Sequence, residues 1–242
     1  MIFQSTRAKK RLMKLRGFAW LVYSSMCLRF TRWNWGVLYR QIQGLNIDRL
    51  HVGCGNILVP GWLNLTFEKR EEYGRIKKVT GAWWLNFNAL DSLPVADESV
   101  QYLAASHFIE HLDFNAGLRF TREAFRVMKK GGVIHLSCPD LELYASHYIH
   151  RNRSFFDDPR IRVVCTFKNA ETCGEIFIAK AYDSGGTHRW FYDAESLIHI
   201  LTQAGFVQAC RVSRLESDIA DIEKIELAER EIETVYVEAR KR

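Results

Sequence analysis

Short apolar runs alternate along this chain with longer stretches whose apolar positions recur at helical spacing. The run Leu50-His51-Val52 leads into Gly53-Cys54-Gly55-Asn56, Gly61 to Leu65 forms a second, and Ala82 to Phe87 a third. Val100 to Ala105 is a fourth, apolar enough to be buried on both faces. Phe114 to Met128 places Leu118, Ala124, Phe125 and Met128 on one side of a predicted helix, and Lys129-Lys130-Gly131-Gly132 ends it. Val133 to Pro139 is a fifth strand. Ala194 to Ala204 is a helix with Gly205 beyond its end, and Phe206 to Val212 and Thr234 to Ala239 are the last two strands. Strands alternating with helices predict a mostly parallel, doubly wound sheet that binds ligands at its carboxyl edge.

The Gly53-Cys54-Gly55 turn is where such a sheet would hold a nucleotide-type cofactor. Glycine admits close backbone approach, and the following helix is expected to present unpaired N–H groups. The 242 residues suit one α/β domain with an extension, and 48% hydrophobic content supplies its core. Cys27, Cys54, Cys138, Cys165, Cys173 and Cys210 form no paired motif, which points to free thiols in a reducing compartment.

Charge divides the chain. Residues 1–47 hold nine Lys or Arg and no acid, so the net +6 comes from this arm while the remainder is slightly acidic. Arg7, Lys9, Lys10, Arg11, Lys14 and Arg16 precede the uncharged stretch Gly17 to Leu28, which is too short to span a bilayer. This arrangement predicts a basic amphipathic helical extension, with residues 1–35 lying on an anionic membrane surface. An organellar transit peptide, or helices over 18–30 and 34–43 packed on the sheet as a lid, would also fit. No nucleic-acid partner is expected, since no recognised motif accompanies the basic residues.

Four blocks, in order, resemble class I S-adenosylmethionine (SAM)-dependent methyltransferases of the methyltransferase-11 type. They are Leu50 to Gly55 with Pro60 to Asn64, Leu93 to Val100, Ala105 to Leu112, and Glu123 to Gly132. A fifth, His188-Arg189-Trp190-Phe191-Tyr192-Asp193 with Leu197 and Ala204-Gly205-Phe206, is similar to a subgroup associated with bacterial surface-glycan synthesis. The resemblance implies a Rossmann-like sheet of seven strands, mostly parallel with the last antiparallel, over residues 48–242, and SAM as cofactor. It implies cofactor contacts from His51, Gly53, Cys54, Gly55, Asn64, Thr66, Asn88, Ala89 and Ser106. Asn88, with Asn86 as second choice, would read the adenine. The acid that usually holds the ribose is missing: the window reads Asn64-Leu65-Thr66, with no acid before Glu68.

Ser106-His107-Phe108-Ile109-Glu110-His111 ends the fourth strand, where the methyl group should emerge. His107 is the first candidate for orienting or deprotonating an acceptor hydroxyl, and His188 the second. Glu110 and His111 could instead cap the next helix, and His188 could tie its loop to Asp193. No metal is expected, because no Cys or His cluster with zinc spacing accompanies His107 and His111. The insertion at about 151–187 is expected to be a substrate lid. The expected reaction is O-methylation of a sugar hydroxyl on a glycan or glycolipid intermediate. The alternatives are a small lipophilic acceptor, such as a quinone or lipid headgroup, and a non-catalytic SAM-binding scaffold. The expected location is the cytoplasm, peripheral on the inner face of the membrane.

Overall fold

The computed structural model describes residues 35–67, 70–162, 169–182 and 187–242. Eight strands form one sheet: β1 (Arg49–Val52), β2 (Leu63–Thr66), β3 (Ile76–Val79), β4 (Ala82–Asn86), β5 (Val100–Ser106), β6 (Met128–Pro139), β7 (Phe206–Val212) and β8 (Thr234–Lys241). Their spatial order is β3-β4-β2-β1-β5-β6-β8-β7. The run from β4 to β6 is parallel, and β8 is antiparallel to both β6 and β7. This is the expected Rossmann-like α/β sheet.

Two details correct the sequence reading. The sheet has eight strands, because Ile76-Lys77-Lys78-Val79 folds back antiparallel onto β4. Thr80 and Gly81, both at positive φ, make the two-residue hairpin turn that a twisted pair requires. Half of β3 is charged, so it shows no apolar run. On the sheet edge that charge is an asset, because lysines discourage pairing with another chain. Lys77 Nζ lies 4.2 Å from the centroid of the Trp84 ring.

The second correction concerns the helix expected after the glycine turn. Residues 53–62 cross from β1 to β2 as a loop with no helix, and residues 87–99 likewise join β4 to β5. The connections on this half of the sheet therefore leave one face short of helices.

Seven helices surround the sheet among the described residues: α1 (35–43), α2 (Phe114–Val127), α3 (Leu141–Ile149), α4 (Arg153–Phe156), α5 (Pro159–Arg162), α6 (Cys173–Tyr182) and α7 (Ala194–Ala204). On one face, strand residues such as Leu50, Leu65, Leu103 and Ile134 pack against Leu38 and Ile42 of α1, Phe120 of α2 and Leu197 of α7. Asp113 caps α2 by accepting from Ala116 N. Asp193 and Ser196 form a capping box on α7, and Gly205 closes that helix at φ 106°.

The opposite face is covered by Val59 and Trp62 of the β1–β2 loop and by Ile219, Ile222 and Ile225 from the β7–β8 connection. The insertion after β6 builds its own small core from Tyr144, Phe155, Phe156, Ile161 and Ile176. No described helix is long and apolar enough to cross a membrane. Most of the basic arm, Cys27, Cys165 and Glu68 lie outside the described residues, and Cys138, Cys173 and Cys210 are free thiols.

Candidate functional site at the carboxyl edge

The glycine turn joins the ends of three parallel strands. Gly53 and Gly55 both take positive φ, at 70° and 49°, where an L side chain is strained. A Cβ at Gly53 would lie 2.6 to 2.8 Å from the Phe108 side chain, whereas one at Gly55 would meet nothing within 4 Å. Buried Cys54 donates its N–H to Leu65 O at 2.9 Å, tying the turn to β2. Thr66, half-buried at the end of β2, pairs in register with Asn86, and its carbonyl accepts from Phe87 N. Asn88 Oδ1 accepts from Leu90 N at 3.1 Å, shaping the turn that includes buried Ala89.

Gly53, Cys54, Gly55, Thr66, Asn88 and Ala89 therefore gather at one edge. The open space at Gly55, with the Thr66 hydroxyl and the Asn88 amide at neighbouring strand ends, suits a nucleoside cofactor such as SAM. No carboxylate stands at the end of β2 among the described residues.

The other predicted cofactor residues point elsewhere. Asn64 is fully buried, accepts from Val59 N, and donates to the carbonyls of Val59, Trp62 and Trp83 at 3.0 to 3.1 Å. Its amide thus holds the helix-free crossing in shape. His51 Nδ1 lies 3.2 Å from Asn64 Oδ1, and burial pushes its pKa down to about 4 although the Asn64 contact pulls it up. Ser106 Oγ donates to Glu226 Oε2 at 3.0 Å.

Glu226 is the hub of a buried network that the sequence reading missed. Ser137 Oγ donates to its Oε1 at 2.6 Å, and the His135 ring lies between Glu226 at 3.1 Å and Glu238 at 2.9 Å. Burial alone would push His135 down, but the two carboxylates outweigh it and raise its pKa to about 9. A signal was available. His51, Asn64, His135 and Ser137 alternate with apolar neighbours in strands that helices on both faces would make uniformly apolar.

The acceptor side begins at His107, which directly follows β5 with φ 48°. Its Nε2 meets Thr234 Oγ1 at 2.9 Å, and its Nδ1 faces Glu110 Oε1 at 3.4 Å. Glu110 sits in a 3-10 turn, Ile109–His111, with its carboxylate fully buried. Its backbone carbonyl accepts from Arg189 N and Trp190 N at 2.8 and 3.2 Å, which draws the 187–190 segment onto this turn.

His188, also buried, donates from Nδ1 to Lys180 O at 2.8 Å, and its Nε2 lies 4.0 Å from Glu110 Oε1. The His111 and His188 rings stand 5.0 Å apart. The fold thus brings His107 and His188 to the same carboxylate. Burial by itself would raise the Glu110 pKa, yet the surrounding His107, His111 and His188 hold it below the ordinary value, while burial pushes His188 down. Helix capping falls to Asp113 for α2 and to Asp193 for α7, not to Glu110 or His188.

Phe108 joins the two halves of the site, since its side chain covers Gly53 while its neighbour His107 faces Glu110. Imidazoles grouped around a carboxylate can orient a hydroxyl and take its proton.

Residues 50–136 match the methyltransferase domain family model of the Methyltransf_11 type. No curated protein matches the chain. Among solved structures, a SAM-dependent methyltransferase from Thermotoga maritima, described as a possible histamine N-methyltransferase, is 17% identical. It aligns over 92% of this chain and 100% of its own with a TM-score of 0.46. SAM-dependent methyltransferases from Archaeoglobus fulgidus and Mesorhizobium loti are 16% and 14% identical. They cover 85% and 80% of this chain and 93% and 90% of their own, with TM-scores of 0.45 and 0.46.

Proposed function

We propose that this chain, which residues 50–136 identify as a SAM-dependent methyltransferase, transfers its methyl group to an oxygen, and that the oxygen belongs to a sugar hydroxyl on a glycan or glycolipid intermediate. The observation that carries the reading is the junction at Phe108, which sets a polar wall of His107, Glu110 and His188 beside the glycine turn. Bound SAM supplies an electrophilic methyl on a sulfonium. Gly53 and Gly55 would pass beneath it, Thr66 would offer the ribose one hydroxyl, and Asn88 with the Ala89 N–H would face the adenine. His107 would hold the acceptor hydroxyl and receive its proton. Positioning supplies most of the acceleration in such a displacement, so modest base help suffices.

A second reading has its own support. An open groove of about 670 Å³ on the insertion is lined by Ala170, Ile178, Ala179 and Tyr182, and Ile178 and Tyr182 are exposed beside it. Such a groove suits a lipophilic acceptor. We also propose that the basic arm, residues 1–35, attaches a cytoplasmic protein to the anionic inner face of a membrane.

Isotope-labelled methyl-SAM incubated with separate glycan, glycolipid and quinone fractions decides between these readings. Label in a sugar methyl ether supports the first. Label confined to quinone or lipid headgroup overturns it, and so does label on nitrogen.

A further inference from the structure

We propose that Glu110, His111 and His188 bind one divalent first-row transition metal ion, with zinc best matched to two imidazoles and a carboxylate. One ligand atom from each lies within 4.8 Å of the others. The sequence hides this set, since His188 arrives from a distant segment and leaves no zinc-type spacing to read.

The independent observation is the state of Glu110. Its side chain is fully buried, and no described donor meets either carboxylate oxygen in hydrogen-bonding geometry, the nearest nitrogen being His107 Nδ1 at 3.4 Å. A sealed carboxylate without donors is costly, and donors are normally recruited to it.

The surrounding histidines are turned the wrong way to be those donors. His188 gives its Nδ1 hydrogen to Lys180 O, so in the neutral ring the Nε2 lone pair faces Glu110 at 4.0 Å. The Thr234 hydroxyl gives its single hydrogen to Arg230 O at 2.6 Å, so its oxygen accepts from His107 Nε2, and the His107 Nδ1 lone pair also faces Glu110. His111 Nδ1 stands 3.3 Å from Thr187 O, which leaves Nε2 as its free ligand atom. These tautomers are assigned from the hydrogen-bond partners.

Lone pairs and an anion converging on one point are well matched by a cation between them. A histidine whose second nitrogen donates to a backbone carbonyl is also the usual supporting arrangement for a metal ligand. Two ligands about 2.1 Å from a tetrahedral ion stand about 3.4 Å apart, so the 4.0 Å between His188 and Glu110, and the spread of up to 4.8 Å across the three ligand atoms, must close by about 0.6 to 1.4 Å on binding. Three protein ligands would leave a fourth position open. The ion would also clamp residues 187–188 onto the 110–111 turn. None of this depends on the acceptor proposed above.

The test uses the full chain, stripped with chelator and titrated with Zn²⁺ and, as a spectroscopic probe, with Co²⁺. The expected result is one ion per chain, visible Co²⁺ d–d bands, and a rise in Tm with Zn²⁺ that grows with its concentration. Binding should weaken at least about tenfold in Glu110→Gln and in His111→Ala, and stay unchanged in His150→Ala, an exposed control. If Glu110→Gln fails to fold, half-buried His111 and the parent stoichiometry decide the matter. A parent that binds no ion, binds several weakly, or binds equally well after His111→Ala overturns the site. It would assign the positive charge beside Glu110 to a protonated histidine instead.

Discussion

Two buried histidines on the same sheet face should confine maximal stability to a narrow pH range. His51 is pushed down to about 4 by burial, from an ordinary value of 6.5, so protonation favours the unfolded chain. Its contribution is present above pH 6.5 and is lost as pH falls toward 4. His135 is raised to about 9 by Glu226 and Glu238, so its contribution is present below pH 6.5 and is lost as pH rises through 9. Each gap corresponds to about 3 kcal/mol at 1.36 kcal/mol per pH unit. Glu226 and Glu238 are themselves held below the ordinary carboxylate value, so acid removes their contribution too. Against a typical total of about 5–15 kcal/mol, losses of this size are readily measured. Urea unfolding followed by circular dichroism at pH 4.5, 6.5 and 9.5 should place the maximum near 6.5, with about 2–3 kcal/mol lost on the alkaline side. His135→Gln should lower stability at pH 6.5 and flatten the alkaline limb, while His51→Asn should reduce the slope of the acid limb. A parent whose stability is level from pH 6.5 to 9.5, or a His135→Gln variant with the parent's alkaline slope, would refute the ion-paired assignment.

Gly53→Ala should cost both stability and SAM affinity, since its Cβ would strike Phe108, whereas Gly55→Ala should cost about 1–2 kcal/mol of backbone strain while still impairing SAM binding. Thermal melts alongside calorimetry check the pair, and equal SAM affinity in Gly55→Ala and parent would remove the turn from the pocket. Thr66→Asp should tighten SAM binding by about 1–2 kcal/mol, by restoring a charge-assisted hydrogen bond to the ribose; a loss of affinity would mean the cofactor lies differently. His107→Ala should lower turnover about 10²-fold with SAM affinity little changed, and unaltered turnover would leave His107 a purely structural role. Removing residues 1–30 should release the protein from anionic vesicles, and salt should weaken attachment of the intact chain; a truncated chain that aggregates without lipid would favour the packed-lid reading.

The strands best read from sequence are those whose apolar character is continuous. Val100 to Ala105 lies in the middle of the sheet with parallel neighbours on both sides, and such a run has little choice but burial. The Ala194–Ala204 helix was legible for a different reason: Gly205 marks its end by chemistry that acts within a few residues, and the structure adds the Asp193 capping box at its start. β3 was missed because an edge strand is stabilised by pairing and by lysines over Trp83 and Trp84, which local hydropathy does not record. The site divides along the same line. The placing of Gly53, Gly55 and His107 at strand ends could be read because glycines and the close of an apolar run are local marks, whereas Glu226 and the approach of His188 to Glu110 are set by long-range packing.

The missing helix after β1 and the buried polar face have a common physical origin. A short crossing from Gly53 to Trp62 cannot cover the face with apolar helix, so backbone groups of the loop come to rest over the strands and need partners. Asn64 supplies them, with one acceptor and two donor hydrogens spent on Val59, Trp62 and Trp83. With a polar residue at that level of β2, its register partner His51 on β1 gains a hydrogen-bond partner inside the protein. On the same face, His135 and Ser137 of β6 are served by Glu226 from the β7–β8 connection. Ser106 joins that network at the very end of β5, one residue before His107. Replacing Glu226 should therefore disturb more than stability. With one of its two acceptor oxygens replaced by an amide NH2, either Ser106 or Ser137 loses its partner, and the strand end just before His107 loses part of its anchor. Glu226→Gln, which keeps the shape but loses the charge, should lower the alkaline pKa of His135 and reduce turnover while leaving SAM affinity near that of the parent.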